Sequence, residues 1–200
     1  MNIVVVANAL RSSGGLTLYL QFIDYLCAAC GSIRFRDDEF IIIKDSSMPE
    51  FNRDNIKFCN VDSGSKITRL LFDIQGIKKI LKKESVVPDI VISLQNVGVL
   101  ALRKIPHVIY FHNAIPLYST RWSFLRQNER PLLFYKYAYP FLLRFFKASY
   151  HRFVVQTDPI KRLLSDRLGI PLSKISVITP SVRVPNSGKV NSFSGDFHFF

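Results

Sequence analysis

The sequence predicts an α/β fold: a doubly wound, mostly parallel sheet with helices on both faces. Three observations predict it. Short runs rich in Val and Ile recur along the chain and stay apolar without alternating, as strands buried on both faces require. Segments with helical spacing of apolar residues separate them. The alternation of the two persists from residue 2 to residue 178, the pattern of a sheet wound by crossover helices.

The elements follow in order. Asn2-Ile-Val-Val-Val-Ala is the first strand. The turn Arg11-Ser12-Ser13-Gly14-Gly15 leads into a helix on which Leu16, Tyr19, Leu20, Ile23 and Leu26 share a face. Residues 39–44 and 56–61 are the next strands. Residues 67–83 read as an amphipathic helix, with Ile67, Leu70, Leu71, Ile74, Ile77 and Leu81 in one stripe and lysines opposite. Residues 89–94 and 108–111 are core strands, and 153–156 and 175–178 complete the set. Between these last two, residues 159–168 form a short helix, with Thr157 or Asp158 as N-cap and Gly169 closing it.

Two hundred residues suffice for one domain with a real core. The reading gives a domain over residues 1–184 and a polar linker over 185–195, opening on Pro185-Asn186-Ser187-Gly188-Lys189. Residues 196–200, Asp196-Phe197-His198-Phe199-Phe200, read as the opening strand of a truncated second domain. There is no internal repeat and no low-complexity tract.

The formal net charge is +12. Half of it lies in residues 119–152, where Arg121, Arg126, Arg130, Lys136, Arg144, Lys147 and Arg152 face a single acid, Glu129. Aromatic residues interleave with these cations, among them Trp122, Phe124, Tyr135, Tyr137, Tyr139, Phe141, Phe145, Phe146 and Tyr150. Helical spacing puts Lys136, Arg144, Lys147 and His151 on one face and Phe134, Ala138, Phe141 and Phe145 on the opposite one. Pro140 is expected to kink the segment or start a new helix. The segment is either an ordinary surface helix whose aromatics face the sheet, or a patch for an anionic membrane formed by Arg121, Arg126, Lys136, Arg144 and Lys147. The interleaved aromatics and arginines favour the membrane. Nucleic acid is not the expected partner, because no recognisable RNA-binding module accompanies the patch.

No secretory leader is expected, since no basic region precedes the first apolar run. No apolar run approaches the ~20 residues of a membrane-spanning helix. Three cysteines make no disulfide framework, so a reducing cytoplasm is the expected compartment. Cys27-Ala-Ala-Cys30 matches C-x-x-C, but it lies near the end of a helix, where the dipole opposes a thiolate.

Five residues are candidates for chemistry. Gly14 and Gly15 let the backbone approach an anion at a helix start, or simply make a tight turn. The dinucleotide and P-loop glycine patterns are absent. His112-Asn113 ends a central strand at the edge where open α/β sheets bind ligands. His112 there either accepts a proton or hydrogen-bonds a sugar hydroxyl, or it orders its own loop. Asn96 ends the preceding strand and opens on the same crevice, as a ligand contact or as a cap for the following short helix. His107 begins its strand on the opposite edge and reads as structural.

These stretches resemble a family. Residues 8–20 with Gly14-Gly15, Asp89-Ile-Val-Ile-Ser-Leu-Gln-Asn96, Val108-Ile-Tyr-Phe-His-Asn113, and 153–157 through 174–180 resemble the N-terminal domain of GT-B glycosyltransferases. The group is the retaining one that builds bacterial polysaccharides and lipid-linked sugars. The resemblance implies a Rossmann-like domain that binds mainly the acceptor, a glycan or lipid-linked sugar. A C-terminal domain would bind the nucleotide-sugar donor and supply paired glutamates. It implies Gly14 and Gly15 as the loop facing the donor phosphates, His112 as the active-site histidine, and Asn96 and Asn113 beside the acceptor. Asn113 stands where that family often has Asp, which favours hydrogen bonding over acid–base work. No metal is expected, since no carboxylate cluster appears, and no cofactor beyond the nucleotide sugar as donor substrate. The chain is thus expected to be the acceptor half of a glycosyltransferase, inactive alone, at the cytoplasmic face of the cell membrane. The alternative is a non-catalytic basic module that binds an anionic membrane or a partner protein.

Overall fold

The structure is a computed structural model; it describes residues 1–30, 35, 37–62, 72–120, 122–148 and 150–179. Arg121, residues 67–71 of the expected amphipathic helix, the linker over 185–195 and the expected strand over 196–200 lie outside the described residues.

Among the described residues, seven parallel strands form one sheet. In chain order they are β1 (Asn2–Val6), β2 (Glu39–Asp45), β3 (Ile56–Val61), β4 (Ile90–Ser93), β5 (His107–Phe111), β6 (Arg152–Val155) and β7 (Ile175–Val177). Their spatial order is β3-β2-β1-β4-β5-β6-β7. The chain therefore winds outward from β1 to β3, crosses back, and winds the other way from β4. The reversal lies between β1 and β4, paired from Ile3↔Ile90 to Val6↔Ser93, and the carboxyl ends of strands at such a reversal are where open α/β sheets bind ligands.

The apolar strands β1 and β2 earn their place by being covered twice. Ile3 and Val5 point to one face, where Tyr19, Ile23 and Leu26 of α1 (Ser13–Cys30) pack with Phe40 and Ile42. Val4 and Val6 point to the other, against Ile77 and Leu81 of α2 (Ile77–Lys83). A π-helical turn, Phe72–Gly76, precedes α2. Farther along, Ile109, Phe111, Phe153 and Val155 pack under Leu143 of α3 (Arg130–Leu143) and Leu164 of α4 (Asp158–Leu168). Phe146 joins this core from the 3-10 turn after α3, and a Cβ at Gly98 would overlap its ring. On the α1 side of β4–β6, Leu18, Phe22, Leu94, Val108 and Tyr110 line a trough of about 340 Å³.

Caps match the expectation for α4. Thr157 Oγ1 accepts from the Ile160 N–H, and Gly169 closes the helix at φ 62°. Pro140 does not start a new helix, for α3 runs unbroken through it to Leu143.

Candidate functional site

The candidate ligand edge starts at the end of β1. Leu10 N–H donates to the Ala7 carbonyl at 2.8 Å, which turns the chain out of the strand. Helix α1 then begins at Ser13, earlier than expected, so Gly14 and Gly15 sit in its first turn and not in the loop before it. Their N–H groups belong to the unpaired start of a helix, which favours anions. The two glycines differ. A Cβ on Gly15 would lie 3.2–3.3 Å from Leu10, whereas a Cβ on Gly14 would meet nothing within 4 Å. The fold asks for a small residue at 15 and for none at 14.

Across the reversal point, Asn96 organises the loop after β5. Its backbone is left-handed, at φ 68°, which Asn tolerates better than most residues. That conformation turns the side chain under the end of β5. Asn96 Oδ1 accepts from the backbone N–H of His112 at 2.7 Å and of Asn113 at 2.8 Å. The Asn96 N–H donates to the Tyr110 carbonyl at 3.3 Å. Asn96 therefore does not cap the short 3-10 turn Leu100–Leu102, whose N-cap is Val99; it clamps two loops together.

The clamp also decides the proton on His112. Asn96 Oδ1 is filled by two donors, so the group facing His112 Nε2 at 3.3 Å is Nδ2, a donor. Nε2 must then accept, and the ring proton sits on Nδ1, which is buried without a hydrogen bond of good geometry. Burial lowers the His112 pKa, and the Tyr110 carbonyl pulls weakly the other way. His112 is thus a neutral imidazole with Nε2 engaged. Asn113 Oδ1 accepts from the Ile115 N–H at 3.0 Å and shapes the turn that follows. Asn96, His112 and Asn113 form one connected unit.

Sequence reasoning missed three neighbours. Gln95, 4% exposed, donates from Nε2 to Asn8 Oδ1 at 2.9 Å and bridges the ends of β4 and β1. Gln156, just past β6, donates to the Tyr110 hydroxyl at 3.2 Å. Lys44, at the end of β2, is only 1% exposed; its Nζ reaches the Met48 carbonyl at 2.6 Å and Glu50 at 3.1 Å. Their common signal is a polar residue at the carboxyl end of a strand. Among the described residues no three His, Cys, Asp or Glu side chains are grouped to hold a metal ion.

The basic segment is arranged differently from the expectation. Tyr139, Leu143 and Phe146 are buried, and they occupy the inner face of α3 and the turn after it. Phe141 and Phe145 therefore point outward with Tyr137 and Arg144, not away from them. Lys136 donates to the backbone carbonyls of Ser119 and Thr120, and Arg126 pairs with Glu129 at 2.9 Å. His151 is buried beside His107 and Phe146 and shares no outer face with Arg144 or Lys147, both of which are exposed. No helix of the described residues is long and apolar enough to cross a membrane.

Comparisons with known proteins agree with this architecture. The lipopolysaccharide outer core galactosyltransferase WaaB, in its apo form, superposes with a TM-score of 0.56 at 17% identity, over 93% of this chain and 47% of its own. A glycosyltransferase from Rickettsia africae ESF-5 gives 0.55 at 19%, over 90% and 43%. WaaG, a glycosyltransferase involved in lipopolysaccharide biosynthesis, gives 0.53 at 12%, over 93% and 49%. The chain thus has the Rossmann-like fold of the GT-B N-terminal domain and spans under half the length of each of these structures. A comparison with curated protein sequences returns no match. The signature of Glycosyltransferase Family 4 matches residues 36–184, from just before β2 to past β7, and the chain belongs to that family.

Proposed function

We propose that this chain is the acceptor-binding half of a glycosyltransferase that moves a sugar from a nucleotide-sugar donor to a polysaccharide or lipid-linked acceptor. A second domain would bind the donor, and this half alone would not turn over. The observation that carries the reading is the clamp of Asn96 on His112 and Asn113 at the edge of the reversal point. It fixes a polar loop where open α/β sheets bind ligands. Gly14 adds to it. A glycine in the first turn of a helix costs helix stability, and no internal contact at Gly14 requires one. Close approach of the donor phosphates supplies a reason for it.

In this reading His112 works as a neutral group that positions the acceptor. To take a proton, Nε2 would have to lose the Asn96 amide. Asn113 and the remaining Nδ2 hydrogen of Asn96 hydrogen-bond sugar hydroxyls. Positioning lowers the barrier by removing the entropy of encounter, and the helix start stabilises charge on the donor. No cofactor enters beyond the nucleotide sugar. The place of work is the inner face of the cell membrane, where a lipid-linked acceptor would be met. A second reading, a non-catalytic basic module, draws on the exposed outer face of α3.

The test is radiolabelled sugar transfer from a set of nucleotide sugars to extracted lipid-linked and polysaccharide acceptors, with the native polypeptide recovered from its cells. Transfer that disappears in His112→Ala with folding intact is the expected result. Full transfer in that variant would remove His112 from the reaction. No transfer by the native polypeptide, or by this chain with a donor-binding domain supplied, would leave the binding module as the reading.

A further inference from the structure

The outer face of α3 offers a surface of defined chemistry. Tyr137 is 68% exposed, and Phe141, Arg144 and Phe145 are exposed beside it, opposite the buried Tyr139, Leu143 and Phe146. Arg130, at the start of the helix, lies on the same face by helical phase. Its Nε donates to the Phe124 carbonyl at 3.0 Å, and its guanidinium lies 5.2 Å from the Phe124 ring centroid. That contact extends the face into the preceding loop, where Phe124 is 71% and Leu125 87% exposed. Arg144 stacks on Phe141 at 4.8 Å in the same way, and Phe141 meets Phe145 edge-on at 5.7 Å. From Arg130 to Phe145 the face spans about 20 Å along the helix and the turn after it.

We infer that this face, formed by Phe124, Leu125, Arg130, Tyr137, Phe141, Arg144 and Phe145, lies on an anionic lipid surface. Three features select lipid. Phe124, Leu125 and Tyr137 stand out by most of their area and Phe141 and Phe145 by 51% and 41%, which water penalises and an acyl boundary does not. The charge complements an anionic headgroup layer, since Glu129 is the one acid of residues 119–152 and is held by Arg126. One face of each of the Phe124 and Phe141 rings is taken by a guanidinium, and Leu125 has no stacking face at all, so the surface offers fewer platforms for nucleobases than for acyl chains. The inference deepens the acceptor reading in one respect. The loop bearing Phe124 and Leu125 follows β5, so an embedded face would bring a lipid-linked acceptor toward the edge that holds His112.

The test is co-sedimentation of the full chain with vesicles of phosphatidylcholine containing about 30% phosphatidylglycerol, a range in which anionic lipid attracts basic segments. It involves no sugar transfer, so its outcome is separate from that of the transferase assay. Binding is expected, with weaker binding to pure phosphatidylcholine. Phe141→Ser with Phe145→Ser should lower the partition coefficient about tenfold or more. Arg130→Glu with Arg144→Glu should lower it at least about tenfold. Lys79→Glu with Lys82→Glu, exposed lysines on α2, changes net charge equally and should cost much less. Thermal melting of each variant confirms that the fold is kept. Equal losses in the α2 control would overturn the inference by showing a bulk charge effect. So would stronger binding to single-stranded RNA than to vesicles, or a dimer that buries this face and excludes vesicles. Unchanged binding in the phenylalanine pair would overturn it as well.

Discussion

Strand β5 carries a histidine at each end, and the two edges of the sheet treat them in opposite ways. His107, at the amino end, is 1% exposed; its Nε2 accepts from the Val99 N–H at 3.2 Å and its Nδ1 donates to the Ile105 carbonyl at 2.8 Å. Its own N–H donates to His151 Nδ1 at 3.1 Å, and its ring lies 5.0 Å from that of Phe146. Burial, together with the neighbouring His151, pushes its pKa down to about 4. His112, at the carboxyl end, keeps part of its surface exposed; its ring takes one hydrogen bond, from the residue that orders its loop and that also accepts from its backbone N–H. One imidazole is spent on holding three segments together. The other is held so that a loop keeps its shape, which is what a ligand-facing edge needs and a core does not.

The sharpest way to break this contrast is to remove both rings. His107→Ala should cost about 3 kcal/mol or more, because it leaves a cavity and strands the Val99 N–H and the Ile105 carbonyl. Urea unfolding reads it directly. His112→Ala should cost only about 1 kcal/mol of stability while abolishing acceptor transfer. Equal stability losses would erase the contrast.

Acid tests the amino edge next. An unfolded His107 takes up a proton near pH 6.5, and the folded one only near pH 4. Between these values the unfolded state holds the extra proton, so stability falls as the pH drops. The loss is absent above pH 6.5 and approaches about 3 kcal/mol near pH 4. His112 shifts in the same direction. In His107→Gln the acid sensitivity of unfolding between pH 6.5 and 4 should shrink markedly; an unchanged slope would assign it elsewhere.

Asn96→Ala loses two acceptor bonds and places Ala at φ 68°, for about 2–3 kcal/mol in all. Asn96→Gly keeps the backbone relaxed and isolates the bonds, so it should cost less than Asn96→Ala when the two melts are compared. The smallest effect concerns the helix start. Gly14→Ala should leave stability unchanged or raise it by up to about 1 kcal/mol, since the added Cβ meets nothing. Gly15→Ala should lose part of that gain against Leu10. Reduced transfer in a stable Gly14→Ala protein would sharpen the assignment of that glycine to a ligand.

Much of the fold was legible because the physics is local. Unbroken runs such as Ile-Val-Val-Val and Phe-Ile-Ile-Ile report burial on both faces, and Thr157 with Gly169 brackets α4 by cap chemistry alone. His112, Asn113 and Asn96 were legible as strand ends on one edge. Their mutual bonds were not, because the left-handed turn at Asn96 arises from packing β4 beside β5 and no neighbour in sequence announces it. The helical phase of Phe141 and Phe145 was misread for a related reason. Aromatic residues at 139, 141, 145 and 146 offer two competing apolar faces. Only the docking of Tyr139, Leu143 and Phe146 on the sheet shows which one turns inward. The burial of Lys44 depends on the Met48 carbonyl and Glu50, placed by the turn after β2.

The hydrogen bonds of β5 also make it a strand with built-in reporters. The chain has four histidines, and the partners of His107 and His112 each assign the ring proton to Nδ1. The imidazole nitrogen resonances of one labelled sample would therefore read both edges at once. A loop disturbance at the ligand edge would move the His112 Nε2 signal alone, whereas loosening of the core would move that of His107.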